Sequence, residues 1–475
     1  MRSNVFRGVL FVVASMFVLM GCNEKESKPN FIIFLVDDLG WMDVGYMGSK
    51  YYETPNIDQM AAEGMVFTNA YANSPNCAPT RASLISGMYA PRHGVYTVGD
   101  PARGKPENRM LIPSPNNTEL DGGFVTIAEA LKENGYTTCH VGKWHLGEDD
   151  QTSPEAQGFD VNIAGNHAGH PKTYFSPYKN KNLTDGPEGE YLTDRLTDEA
   201  VSFIEGNQEK PFFLYFAHYS VHTPIQAKEG IATKYKTKAS HNGQDNPKYA
   251  AMVESTDQSL GRILATLKKL QLDENTVVLF FSDNGGHGGV TTHGPLKGSK
   301  GMMYEGGFRE PMIAWWPGKI RKGARSDEVV MGMDFYPTLV DLAGGSPAKY
   351  KVDGESLAPV LLEKGGLTRE AVYWHFPAYL QSYNGIKNPE DLTKGWRAVP
   401  SGAIRMGDYK LIEDFEDGSL ELYNLKEDIS ERNNLVEAMP EKKDELLSAM
   451  RQWRSRTNAP VPNKRNPEYR VEAPI

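Results

Sequence analysis

The chain is 475 residues long, carries a formal net charge of −10 and contains three cysteines. That length supplies a core large enough for two or three domains. The acidic balance, with no Lys/Arg-rich block, excludes a basic face for nucleic acid, so any anion must be held by a few local Lys and Arg. Three cysteines do not make a disulfide framework, and no internal repeat or low-complexity stretch interrupts the chain.

The N-terminus reads as an export leader over residues 1–21. Arg2 and Arg7 precede an apolar run at 9–20, and the polar "NEKESKPN" follows. The run is too short to span a membrane, which takes about 20 apolar residues. The break at Leu19-Met20-Gly21-Cys22 resembles a bacterial lipobox, with Met20 departing from the small residue usual there. Cys22 is then the lipidated residue, and residues 22–29 form a tether. Ordinary cleavage near Gly21 is the alternative. On the first reading the mature protein is a globule anchored by lipid, periplasmic or at the cell surface of a Gram-negative-type bacterium. No later segment is apolar enough to span. Cys77 and Cys139 remain, and a single bridge between them is left open.

Continuous apolar runs come next: "FIIFLV" (31–36), "PFFLYFA" (211–217), "TVVLFF" (276–281) and the weaker "YTTCHV" (136–141). Such runs lack the alternation of a half-exposed strand, so both of their faces are buried in a mainly parallel sheet. Helices fit between them. "TIAEALKENG" opens with a Thr126–Glu129 capping box and stops at Gly135. Residues 249–270 carry apolar side chains at helical spacing. The fold class is therefore α/β, with a mainly parallel or mixed central sheet sandwiched by helices. Cys139 falls inside a strand and packs as a small hydrophobe. Residues 99–123 and 226–247, rich in Gly, Pro, Asn and charge, read as surface loops.

Each strand is followed by chemistry. Asp37 and Asp38 follow the first, Lys143 and His145 the 136–141 run, His218 and His222 the 211–217 run, and Asp283 and Asn284 the 276–281 run. Ligand sites of open α/β sheets form at the carboxyl ends of their strands. Asp37, Asp38, Asp283 and Asn284 are a hard oxygen set, suited to Ca²⁺ or Mg²⁺ rather than Zn²⁺. Lys143, Lys300 and Arg81 supply positive charge, and His145 and His222 can move protons. The residues alone thus describe hydrolysis of a sulfate or phosphate ester.

Cys77 lies in "CAPTRASLISGMYAPRHG", which matches the signature of the formylglycine-dependent sulfatases. "VDDLGW", "GKWHLG", "SDNGG" and "KGSKGMMYEGGFREP" resemble further motifs of that family, in its order, so the resemblance runs from about Asn30 to the C-terminus. It implies an alkaline-phosphatase-like fold, with a catalytic domain over 30–364 and a C-terminal antiparallel sheet-plus-helix subdomain over 365–475. It also implies that a separate maturase oxidises Cys77 to formylglycine, 3-oxoalanine. Of the two hydroxyls of its hydrate, one attacks sulfur and the other later expels sulfate as the aldehyde re-forms. One Ca²⁺ would be held by Asp37, Asp38, Asp283, Asn284 and the modified Cys77. Arg81 would orient the hydrate. Lys143 and Lys300 would clamp sulfate, with Lys300 preferred to Lys297. His145 would take the proton in sulfate release, and His222 would protonate the leaving oxygen. His218 is expected to support and Arg92 to brace.

For substrate recognition, Asn166, His167 and His170 in the 158–178 loop, and His287 and His293 between glycines, are candidates for binding sugar hydroxyls. Near the C-terminus, 401–425 reads as a hairpin turning at Glu416-Asp417-Gly418, followed by a terminal helix. Trp374, His375 and Trp396 line either the pocket rim or the core, with core preferred for Trp374. The expected activity is sulfate-ester hydrolysis on a sulfated carbohydrate, algal or host, in polysaccharide degradation, by a monomer or weak oligomer. The alternative is a phosphomonoester, phosphodiester or phosphonate hydrolase of the same superfamily.

Overall fold

The four apolar runs are strands, and in space they are neighbours. The computed structural model describes residues 28–470; the leader and Cys22 lie outside them. The main sheet comprises β1 (Asn30–Val36), β2 (Met65–Tyr71), β3 (Thr137–Gly142), β4 (Val161–Ile163), β5 (Phe212–Ala217), β6 (Thr276–Ser282), β7 (Met312–Trp315) and β8 (Ala324–Met331). Its order is β4-β3-β5-β1-β6-β7-β2-β8, and only β7 runs against its neighbours.

Both faces are covered, which is why these runs show no alternation in sequence. Ile32, Phe34 and Val36 pack with helices Leu192–Gly206 and Pro247–Lys269 on one side. Phe31, Ile33 and Leu35 pack with helices Cys77–Ser86, Ile127–Glu133 and Phe335–Leu342 on the other. Each fully buried apolar side chain contributes roughly 1.5–3 kcal/mol. The expected capping box is present: Thr126 accepts from the Glu129 amide, and Glu129 accepts from the Thr126 amide at 2.7 Å.

Register sets the functional edge. Gly142 pairs with Ala217, Ala217 with Leu35, and Leu35 with Phe281. The carboxyl ends of β3, β5, β1 and β6 therefore finish within a residue of one line, and the polar residues after each end are brought together.

The segment 226–247 is not wholly loop. It holds the helix Glu229–Tyr235, which buries Ala232 and Tyr235 one turn apart. Tyr235 donates to Glu254 at 2.6 Å, so tertiary packing orders a stretch whose polar composition reads as loop. Cys139 is buried and free, as is Cys77, so there is no bridge between them.

The C-terminal region adds β9 (Ala371–Phe376), a small ribbon of β10 (Leu380–Gln381) and β11 (Trp396–Ala398), then β12 (Ser401–Met406), β13 (Tyr409–Asp414) and β14 (Leu420–Asn424). β9 and β12–β14 form an antiparallel sheet ordered β14-β13-β12-β9, with β13 and β14 joined across the predicted turn. Helix Pro440–Thr457 packs on it. Its core continues into the main body: Trp374 stacks on Phe308 at 4.4 Å and donates from Nε1 to the Ala72 carbonyl at 2.9 Å. His375 and Trp396 are buried as well, so neither lines a rim. His375 Nε2 bonds the Pro460 carbonyl at 2.8 Å, and Trp396 packs on Tyr379 at 5.1 Å. Among the described residues no helix is long and apolar enough to cross a membrane.

Candidate active site

Cys77 is the first residue of its helix and is buried. The turn before it is pinned by Thr80, whose hydroxyl accepts from the Ser74 amide at 3.1 Å and donates to the Ser74 carbonyl at 3.0 Å. The helix N-terminus directs its unpaired amides and positive dipole end toward the site. One turn on, Arg81 is fully buried and ties three strand ends together. Its Nε donates to Asp283 Oδ2 at 2.8 Å, Nη1 donates to the Lys143 carbonyl at 2.8 Å, and Nη2 lies 3.9 Å from Asp37 Oδ1.

Around Cys77 the carboxylates crowd. Ligand atoms of Asp37, Cys77 and Asp283 lie within 4.8 Å of one another, as do those of Asp37, Asp38 and His222. Each lysine holds one carboxylate: Lys143 Nζ donates to Asp37 Oδ2 at 2.7 Å and Lys300 Nζ to Asp38 Oδ1 at 2.5 Å. Asn284 Nδ2 donates to Asp38 Oδ1 at 2.8 Å. What remains is informative: Asp37 Oδ1, Asp38 Oδ2 and Asn284 Oδ1 are buried oxygens without a hydrogen-bond partner. Buried acceptors left unpaired are costly. Burial and the neighbouring Asp283 push the Asp37 carboxyl up to about 8, against the pull of Lys143. Burial would raise Asp38 too, but Lys300, His222 and Lys143 hold it well below the usual carboxylate range. Orphaned oxygens on two aspartates and an asparagine, with the Asp283 carboxylate beside them, fit a hard cation.

The two histidines sit above this cluster. His222 Nδ1 contacts the Thr223 carbonyl at 2.8 Å, which fixes the proton there because a carbonyl only accepts. Nε2 then faces Asp38 Oδ2 at 3.6 Å. Burial, reinforced by Lys300, pushes His222 well below the imidazole range, with Asp38 opposing. Burial and Lys143 do the same to His145. Asp38 and His145, both just past strand ends, adopt left-handed backbone at φ 60° and 66°, a strain that persists only where the surroundings impose it. Gly169 lets the 158–178 loop close on His145: a Cβ there would lie 2.5 Å from the ring.

The remaining candidates divide. His170 is exposed, lies parallel to His222 with centroids 6.2 Å apart, and lines a cavity of about 210 Å³. His167 is half-exposed, 6.3 Å from His145. Asn166 lines the same cavity as His170 but is buried, and its side chain is engaged by the protein. Its side-chain amide donates to Asn180 Oδ1 at 3.1 Å, its Oδ1 accepts from the Ala168 amide at 2.8 Å, and its backbone carbonyl accepts from the His145 amide at 3.0 Å. His293 is buried against Gly40 and Gly286 behind the Asn284 loop, with burial pushing it down to about 4, so it does not reach the rim. His287 stacks on Tyr383 at 4.4 Å. His218 is buried on Phe216 and bonded to Ser259 Oγ at 3.0 Å. Arg92 pairs with Asp353 at 2.7 Å, and Lys297 lies over Tyr304 at 3.6 Å, away from the carboxylates. Tyr174 was not legible beforehand. Its hydroxyl donates to the Tyr219 and His222 carbonyls at 2.6 and 2.8 Å, and nothing in "KTYFSPY" marks a residue that acts on a segment so far along the chain.

Comparison with known proteins agrees with this geometry. The sulfatase family model matches residues 29–346, and the model of the N-sulphoglucosamine sulphohydrolase C-terminal region matches 297–456. A sulfatase of Formosa agariphila is 34% identical, covering 92% of this chain and 91% of the relative. The Homo sapiens N-acetylgalactosamine-6-sulfatase is 34% identical over 75% of this chain and 70% of its own. The solved structure of Ps i-CgsB in complex with k-i-k-neocarrahexaose superposes with a TM-score of 0.74 at 31% identity, covering 92% and 95% of the two chains.

Proposed function

The chain belongs to the sulfatase family and is a sulfuric ester hydrolase; from that premise we propose that it removes sulfate from a sulfated saccharide at Cys77, with calcium as its cation. The observation that carries the reading is the triad of orphaned oxygens on Asp37, Asp38 and Asn284, beside Cys77 and between Lys143 and Lys300. Relatives act on related material: the human relative is an N-acetylgalactosamine-6-sulfatase, and Ps i-CgsB binds a neocarrahexaose.

Asp37, Asp38, Asp283 and Asn284 would hold the cation, with the oxidised Cys77. Calcium, when bound, supplies fixed positive charge against a sulfate oxygen and favours an ionised nucleophile. Cys77, once oxidised by a maturase, supplies the two hydroxyls of an aldehyde hydrate, one to attack sulfur and one to expel sulfate. Lys143 and Lys300 offset the charge that develops on sulfate. An anionic sulfate between them also relieves the electrostatic load that Lys300 places on His222, raising its proton affinity. His222 can then donate from Nε2 to the departing sugar oxygen. His145 takes the proton of the second hydroxyl. Arg81, bridging the helix to Asp283, orients the nucleophile. His167 and His170 contact the sugar. The leader reading places the enzyme as a lipid-anchored exported protein that handles saccharides outside the cytoplasm.

The test is sulfate release from sulfated mono- and oligosaccharides by matured protein, with aryl sulfate, aryl phosphate and an aryl phosphodiester in parallel. Turnover of sulfate esters at 10²-fold or greater preference is expected. A preference for phosphate would overturn the reading.

A further inference from the structure

We propose that Arg397 and Arg103 form a second anion subsite beside Lys300, so that the preferred saccharide carries a second negative group, sulfate ester or carboxylate, next to the one hydrolysed. The inference rests on the sulfatase reaction assigned above.

Arg397 sits on β11 between the buried Trp396 and Ala398, so strand alternation turns its side chain to the opposite face. Its Nε donates to the Gln381 carbonyl at 2.9 Å. The guanidinium lies over the Tyr383 ring at 4.6 Å, and that ring stacks on His287 at 4.4 Å and 24°. The plane is thereby held flat against an aromatic platform. Nη1 lies 3.1 Å from where a Cβ on Gly301 would be. Gly301 follows Lys300, and its amide donates to the Pro75 carbonyl at 2.8 Å, two residues before Cys77. The fork therefore stands at the lip of the site. Arg103 is brought to the same ribbon: its neighbour Ala102 bridges Tyr379, and a Cβ on Gly104 would lie 2.6 Å from the Trp396 ring and 3.6 Å from Gln381 Cβ. Asp38 attracts the Arg397 charge and Arg103 repels it.

Neither guanidinium has an acidic partner among the described residues. Arg103 Nη2 donates only to the Val98 carbonyl, and Arg397 only through Nε, which leaves both of its NH₂ groups without a protein acceptor. Of the carboxylates lining the same cavity as Arg397, Asp414 takes Lys394 at 2.6 Å, Asp391 takes Arg432 at 2.8 Å and Glu421 accepts from Tyr304 at 3.1 Å, while Glu390 is exposed and bonded to neither arginine. In a chain of net charge −10, carboxylates are plentiful. Half-burying two like charges without one is costly, and an external anion resolves that cost. The arginine fork matches the paired oxygens of sulfate and carboxylate.

The experiment compares three sugars with the matured full chain: a monosulfated sugar, the same sugar with a second sulfate, and the same sugar linked to a uronate. kcat and KM are measured for wild type, Arg397→Ala, Arg397→Lys and Arg103→Ala. Wild type should prefer a doubly charged sugar by about tenfold to a hundredfold in kcat/KM. Arg397→Ala should erase most of that preference through KM, Arg397→Lys less, and added salt should erode it in wild type. The arm with the larger preference identifies sulfate or carboxylate. If Arg397→Ala fails to fold, Arg103→Ala and the wild-type salt dependence decide. Turnover of all three sugars at equal efficiency, or a preference unchanged in both alanine variants, overturns the subsite alone. No turnover of any of them overturns the reaction, and the subsite falls with it.

Discussion

His222→Ala separates proton transfer from everything else His222 does. The side chain is only 15% exposed, its Nδ1 is tied to the Thr223 carbonyl and its Nε2 lies 3.6 Å from Asp38. Removing it has two effects. Emptying the space beside Asp38 loosens the carboxylate's placement, which weakens the site for any substrate by roughly tenfold. The departing oxygen also loses its acid, which typically costs about 10²–10⁴-fold. The second effect depends on the leaving group. An alkoxide leaving from a sugar needs the proton, whereas a phenolate is stabilised by its ring. The prediction is therefore a loss of about 10³–10⁵ on a sugar sulfate and about tenfold on an aryl sulfate. The ratio of kcat/KM on the two substrates isolates the acid, and circular dichroism confirms the fold. Equal losses on both substrates would refute the assignment and leave Lys300, 2.5 Å from Asp38, as the acid candidate. His145→Ala should instead slow both substrates alike where sulfate release limits, because that step no longer contains the leaving group.

Peptide mass analysis of active enzyme should show a loss of about 18 Da at Cys77, thiol replaced by aldehyde; full turnover by unmodified protein would end the mechanism. Asp283→Ala strips Arg81 of its 2.8 Å partner and removes a proposed cation ligand; activity should vanish, and melting should show a cost of about 3–5 kcal/mol for the uncompensated buried charge. For chelated protein the sign follows from Asp37: its carboxyl is raised from 3.8 to about 8, so folding favours the protonated form. The Asp37 contribution, read as the difference in melting between wild type and Asp37→Asn, should fall as pH rises from about 4 through 8, and calcium should restore wild-type stability at the upper end; a difference insensitive to both would contradict the cation site. Gly169→Ala places a methyl 2.5 Å from the His145 ring; kcat should drop about tenfold or more on both substrates with little change in melting, and unchanged kcat would mean His145 is not positioned by that loop.

Much of this protein is local information. An apolar run with no alternation states that both faces will be covered, and a polar pair just after such a run states what will stand at the sheet edge. Asp37, Asp38, Lys143, Asp283 and Asn284 were legible for that reason, as was the Thr126–Glu129 capping box. Nothing local, however, says whether a polar loop residue will end up facing solvent. Asn166, a polar residue of the 158–178 loop, and His293, flanked by glycine, looked like ligands for a sugar. Both turned out to be buried: Asn166 spends its side chain on Asn180 and the Ala168 amide, and His293 is packed against Gly40 and Gly286. Lys297 and Lys300, one turn apart in sequence, were divided by tertiary contacts alone: Tyr304 claims the first and Asp38 the second. Arg397 had no mark at all, because its meaning lies in its closeness to Gly301 and in the carboxylate it lacks. Strand period and strand ends depend on neighbouring residues, and sequence alone decides them. Burial and charge balance depend on what the rest of the chain brings alongside, and only the folded structure decides those.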